Sequence, residues 1–185
     1  MRSVGLVCDD GVDAAIVAAV EAALARVLEL PARRCGGFPA TAAAYDPQRD
    51  QYDSGALLIG LAARAPADGT WLLGITVRDL YAPMLSFVFG QAQLGGRVAI
   101  VSLARLRQEF YGLAADPELL LLRVVKEVLH EMGHALGLVH CVEPLCAMSL
   151  STNIDQVDAK RTELCDSCRA LLAETGRGRG GDREW

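Results

Sequence analysis

The sequence predicts an α/β fold, with helices and strands alternating ahead of one long amphipathic helix and a short cysteine-bearing segment closing the chain. Three observations carry that prediction. Apolar residues repeat at helical spacing near the start, β-branched runs bounded by glycine recur in the middle, and a capped apolar stripe of helical period follows them. A length of 185 residues suits one domain with at most a small appended subdomain, and a hydrophobic content of 52% is ample for a packed core.

Ser3 to Cys8 alternates weakly and reads as a short strand ending at Asp9-Asp10-Gly11. Ile16, Val20, Leu24 and Val27 then repeat at helical spacing, and Pro31 stops that helix. Leu30 to Arg34 is a second strand, and Gly36 to Tyr45, with two glycines and Pro39, reads as loop. Tyr52 to Arg64 forms the next helix, with Leu57, Leu58 and Leu61 apolar. Trp71 to Val77 is a strand, and RVAIVSL from Arg97 to Leu103 is the clearest one, with its β-branched run following Gly95-Gly96. Between them, Phe87 to Gln91 reads FVFGQ, a strand in which Gly90 suits an edge or a bulge. Asp116, Pro117 and Glu118 start the long helix as cap, first-turn proline and dipole partner. Its stripe of Leu122, Val125, Leu129, Met132 and Leu136 is expected to face the core. Lys126 and Glu127, one turn before the motif, read either as groups supporting the site from behind or, as is more usual for such charges, as solvated, and they are not assigned to it.

The end of this helix and the turn beyond it read HEMGHALGLVHC. Residues four apart share a helix face, so His130 and His134 direct imidazole nitrogens at one ion while Glu131 flanks it. Gly137 suits the left-handed conformation that ends a helix, and that turn returns His140 as a third ligand. Three imidazoles leave one corner of a tetrahedral zinc to a water, the arrangement of a catalytic site. Glu131 is placed to take a proton from that water. All three histidines of the chain fall within HExxHxxGxxH, which a polar helix face carrying histidines by chance has no reason to produce.

Those residues match the long zinc signature of the metzincin metallopeptidases position by position, and the sequence resembles that group here. Cys141, Cys146, Cys165 and Cys168 follow at four-thiolate spacing, the last pair closed by a CxxC. Four thiolates saturate a zinc shell, so this second site is expected to be structural. The alternative is four small buried thiols. HExxHxxGxxHC, then CxM, then CxxC resembles the archaemetzincins, a branch of the metzincin zinc metallopeptidases. The resemblance implies a twisted mixed sheet with an active-site helix, plus a small zinc-stapled C-terminal subdomain. It also implies two Zn2+ ions per chain, one catalytic and one structural. Met148 matches the methionine that lies in a tight turn beneath the catalytic zinc, although spacing alone equally allows an ordinary core methionine. Metzincins lay an extended peptide along an edge strand above the zinc, a role that Phe87 to Ala92 takes here unless it is an interior strand contributing two phenylalanines to the core.

The expected organisation is one catalytic domain over residues 1–175, with residues 1–137 as an upper subdomain of sheet and active-site helix. Residues 138–175 form a lower zinc-bound subdomain, and the glycine-rich, charged stretch 176–185 is a disordered tail. The polar segment from Ser149 to Leu164 reads as a loop between cysteine pairs, and Cys168 to Glu174 as a short helix. A formal net charge of −5 argues against a nucleic-acid-binding face. No apolar stretch is long enough for a secretory signal or a membrane span, so a cytoplasmic location with reduced thiols is expected. Cys8 and Cys35 then read as two buried thiols, with a disulfide between them as the alternative.

The expected activity is zinc-dependent hydrolysis of peptide bonds in a peptide or protein substrate, with Glu131 as general base. A zinc-stabilised binding module that cleaves nothing, and a zinc hydrolase of non-peptide amides, use the same ligands and remain as alternatives. Substrate sequence and oligomeric state are not written in the chain.

Overall fold

Five strands carry the fold, and three of them are buried on both faces because helices cover each side. The computed structural model describes residues 2–38 and 42–178, with side chains described through residue 175. The chain runs β1 (Val4–Cys8), α1 (Ala14–Leu28), β2 (Ala32–Gly37), β3 (Tyr45–Asp46), β4 (Gln51–Asp53) and α2 (Ser54–Ala62). It continues through β5 (Trp71–Thr76), β6 (Leu80–Tyr81), β7 (Gly90–Ala92) and β8 (Val98–Ser102). The helices α3 (Pro117–Ala135), α4 (Ile154–Ala159) and α5 (Asp166–Gly178) complete it. The main sheet has the order β2-β1-β5-β8-β7; its first four strands are parallel and β7 is an antiparallel edge. A small second sheet has the order β3-β4-β6. This is the mixed α/β sheet expected from the alternation of helices and strands.

Side chains alternate across a strand, so each central strand feeds two cores. On one face Leu6, Leu73, Ile75 and Val101 pack against Val20 and Leu24 of α1 and Val128 and Leu129 of α3. On the other, Val7, Leu72 and Ile100 meet Leu57, Leu58 and Leu61 of α2. Asp13 caps α1 by accepting from Ala15 N–H at 2.9 Å, and Asp53 caps α2 by accepting from Gly55 N–H at 2.8 Å.

Several expectations are corrected. Leu122 does not face the core: it is exposed, and the buried face of α3 is completed instead by Val124 and Val128. Lys126 and Glu127 are buried rather than solvated. The stretch from Ser149 to Leu164 is not all loop, since Asn153 accepts from Gln156 N–H at 3.0 Å and starts α4, with Val157, Lys160 and Leu164 buried. α5 begins at Asp166, before Cys168, and its backbone continues to Gly178, so only residues 179–185 of the expected tail lie outside the described residues. The strand expected at Phe87 to Gln91 is observed at Gly90–Ala92. Part of the loop expected over Gly36 to Tyr45 also lies outside the described residues; Gly36 and Gly37 belong to β2. Cys8 is buried, but Cys35 is exposed, because the β1–β2 register steps from Leu6↔Arg34 to Val7↔Gly36 and leaves Cys35 as the extra residue of a bulge. Both thiols are free.

Candidate active site

The site is built from one end of α3 and the turn that follows. Asp116 accepts from Leu119 N–H at 2.9 Å and starts the helix, with Pro117 in the first turn. Gly137, at φ +103°, stops it. Its N–H donates to His134 O at 2.9 Å, and Leu138 N–H donates to Gly133 O at 2.9 Å. That turn presents Leu138 O to His134 Nδ1 at 2.8 Å, while Ala147 O takes His130 Nδ1 at 2.9 Å.

A carbonyl only accepts, so both imidazoles carry their proton on Nδ1. Burial pushes the pKa of His130 down to about 3 and also lowers that of His134, which keeps both rings neutral. Their Nε2 atoms therefore present lone pairs to each other across 3.1 Å. Two facing lone pairs repel unless a cation lies between them. The spacing is close to the ~3.3 Å edge of a tetrahedron with ~2.05 Å Zn–N bonds. His140 completes the group, with its ring centroid 5.3 Å from that of His130 and 4.8 Å from that of His134. The three rings offer nitrogens that all lie within 4.8 Å of one another, a donor set that fits zinc.

Glu131 is 5% exposed and lines the same cleft as the three histidines, so it does not point into bulk solvent. Burial raises its pKa well above the ordinary carboxylate value and Glu127 adds to this, while Lys160 opposes both. Room for it comes from the edge strand. A Cβ at Gly90 would lie 2.6 Å from Glu131 Cγ and 2.7 Å from Ile100 O, so β7 approaches the helix this closely only with glycine at that position.

Cys141, Cys146, Cys165 and Cys168 form the second cluster, again within 4.8 Å of one another. Cys141 and Cys165 Sγ are 3.7 Å apart, far beyond a disulfide bond and close to the ~3.8 Å edge of a tetrahedron with ~2.3 Å Zn–S bonds. Backbone amides point at the sulfurs: Glu143 N–H at 3.4 Å from Cys141, with Met148 N–H and Cys165 N–H at 3.4 and 3.3 Å from Cys146. A Cys168 backbone amide lowers the pKa of Cys165, while burial raises that of Cys141. Four sulfurs so close cannot all ionise without a cation between them, so this donor set also fits zinc.

Cys146, Ala147 and Met148 join the two clusters. Cys146 belongs to the thiol group, the carbonyl of Ala147 orients His130, and Met148 is fully buried against α3, where a Cβ at Gly133 would overlap its sulfur. Cys141 N–H closes the loop on Met148 O at 2.9 Å.

A cleft of about 710 Å³ runs over the histidines. Phe87, Phe89 and Gln91 line one side, and Val139, Leu150 and Thr152 are also in its lining. Within Phe87 to Ala92, Gly90–Ala92 is an edge strand, while Phe89 is buried in the core. Sequence reasoning missed the polar support behind this cleft. Lys160 Nζ reaches Glu127 Oε1 at 3.0 Å, Arg123 clamps both oxygens of Asp158 at 2.7 and 2.6 Å, and Lys126 Nζ bonds Asp158 O at 2.8 Å. The one available signal was two charges, Lys126 and Glu127, set mid-helix among apolar residues one turn before the motif.

The sequence model of Peptidase family M54 matches residues 43–174. The archaemetzincin of Methanocaldococcus jannaschii is 44% identical over 133 residues, 72% of this chain and 72% of that protein. Among solved structures, the archaemetzincin of Methanopyrus kandleri superposes with a TM-score of 0.84 at 40% identity, covering 96% of each chain. A zinc-dependent peptidase from Methanocorpusculum labreanum gives 0.85 at 38% identity, covering 92% of this chain and 100% of the other.

Proposed function

Because the chain belongs to peptidase family M54, the archaemetzincins, and is a zinc metallopeptidase, we propose that His130, His134 and His140 hold the catalytic zinc and that Glu131 is the general base. The observation that carries this reading is the pair of unprotonated imidazole nitrogens facing each other at 3.1 Å beside a buried carboxylate. When bound, zinc supplies a Lewis acid that lowers the pKa of a water to about 7 and polarises the scissile carbonyl. Glu131 accepts a proton from the attacking water as its oxygen bonds to the carbonyl carbon. It then gives that proton to the amine nitrogen as the C–N bond breaks. The carbonyls of Leu138 and Ala147 fix which nitrogen each imidazole offers, and Met148 braces the helix from below.

Cys141, Cys146, Cys165 and Cys168 hold a second, structural zinc in this reading. Residues 1–137 then act as the upper part of one catalytic domain, and residues 138–175 as the lower part that carries the thiolate shell. The substrate is a peptide or protein, and its backbone adds as a strand along Gly90–Ala92, which pairs only with β8 among the described residues. No described helix is long and apolar enough to cross a membrane.

A panel of quenched fluorogenic peptides tests this reading. Cleavage is expected with zinc-loaded protein, lost on chelation and restored by added zinc. Cleavage that persists after the metal is removed would contradict it. Gly90→Ala gives a second check. The added methyl displaces Glu131 or the strand, and a shift of about 1 Å at a reacting group costs on the order of 10²-fold in rate. Thus kcat should fall with zinc content retained, alongside a lower melting temperature because the methyl also meets the Ile100 carbonyl oxygen, and an unaltered kcat would show that Glu131 does not need this space.

A further inference from the structure

The mostly apolar cleft has a polar corner that its histidines and Glu131 do not account for. Glu127, one helical turn before Glu131, lines the cleft, and its Oε1 is held 3.0 Å from Lys160 Nζ with both side chains almost wholly buried. Ser151 also lines the cleft, and its hydroxyl is buried with no hydrogen-bond partner in the structure. Both side chains belong to the wall of one cleft. Thr152 N–H is tied to Gln156 of α4 at 2.7 Å, and Asp158 and Lys160 beyond it are tied to α3 from Arg123 to Glu127.

We propose that this corner is a subsite for a neutral, hydrogen-bonding substrate side chain next to the scissile bond, one with an amide or phenol tip on an apolar stem. Ser151 and Glu127 provide its polar contacts. The inference rests on the peptidase reading above. Charge balance selects the class of side chain. Glu127 and Lys160 cancel, so a cationic tip would add an unpaired positive charge beside Lys160 and an anionic tip would face Glu127, both costly away from water. An apolar tip would leave the Ser151 hydroxyl buried and unpaired. Phe87, Val88 and Leu150 in the lining suit the stem.

The test uses zinc-loaded enzyme and matched peptides that differ at one residue flanking the scissile bond: Tyr against Phe, Gln against Met, with Lys and Glu as charged controls. The polar member of each pair is expected to be favoured in kcat/KM by about fivefold, the worth of one added hydrogen bond, and the charged peptides should be poorest. Ser151→Ala should bring the Tyr/Phe ratio towards one. Replacing the ion pair with apolar side chains, Glu127→Leu with Lys160→Met, should lower the same ratios even if Ser151→Ala folds poorly. Equal rates within each pair for the wild type, or ratios that neither variant shifts, would overturn the proposal. Dissociation constants of the same peptides for Glu131→Gln protein give a readout that needs no turnover. If no peptide is cleaved the peptidase reading fails, whereas the binding order still decides the subsite, and a flat order overturns it.

Discussion

Glu131→Gln protein is expected to keep its fold and its metal while losing turnover by about 10²- to 10⁴-fold, the usual contribution of a positioned acid–base group. The substitution is nearly isosteric, and the site tolerates it for a specific reason. An amide is uncharged and nearly the same shape, so at this buried position it brings no unpaired charge. Gly90 leaves space beside it that the amide fills equally well. What the amide cannot do is accept a proton from water and return it to an amine. The comparison to make is kcat and KM on one peptide, with circular dichroism and zinc content measured on the same sample. A fall in kcat at constant metal content is the expected result, and equal hydrolysis by the two proteins would remove Glu131 from the reaction.

Cys165→Ser is expected to act on stability first. Metal held by a structural shell contributes directly to folding, so losing one thiolate of four should cost several kcal/mol, a Tm drop on the order of 10 °C in a chain of this size. The segment from Cys141 to Cys146 buries little apolar surface and is otherwise held by hydrogen bonds such as Cys141 N–H to Met148 O and Arg161 N–H to Leu145 O, each at 2.9 Å. Val142 is fully exposed, and Cys146 is one of the few residues here that reach the core. The loss should spread to the histidines, because Ala147 and Met148, which orient His130 and brace α3, follow Cys146 directly. Differential scanning calorimetry with and without added zinc measures the effect. A Tm equal to that of the wild type would mean that the four sulfurs are ordinary core thiols.

Local chemistry was legible in the chain, and long-range chemistry was not. Asp116, Pro117 and Gly137 mark the start and stop of α3 through backbone effects confined to a few residues, so the placement of His130, His134 and His140 follows from the sequence. The apolar run of β8 is the plainest, whereas β1, which reads as weakly alternating, is in fact buried along its whole length, as a parallel strand covered on both sides is. β7 was displaced by a few residues, since two phenylalanines draw the eye to 87–89 while pairing with β8 begins at Gly90. α4 was invisible, being a helix of only 6 residues with one buried side chain, Val157. The pairs Arg123–Asp158 and Glu127–Lys160 join residues more than thirty positions apart. No periodicity announces such a contact, so Lys126 and Glu127 read as surface charges until the fold showed what covers them.

Two separate donor sets, three imidazoles and four thiols, should each close on a zinc ion. Metal analysis of purified protein by inductively coupled plasma mass spectrometry, for the wild type, His134→Ala and Cys165→Ser, tests this most directly. Two zinc ions per chain are expected for the wild type, with the His134→Ala protein keeping one that resists mild chelation. The Cys165→Ser protein should lose the resistant ion. One zinc or none in the fully loaded wild type, or a metal content that neither substitution alters, would show that at least one of these donor sets does not hold a zinc ion.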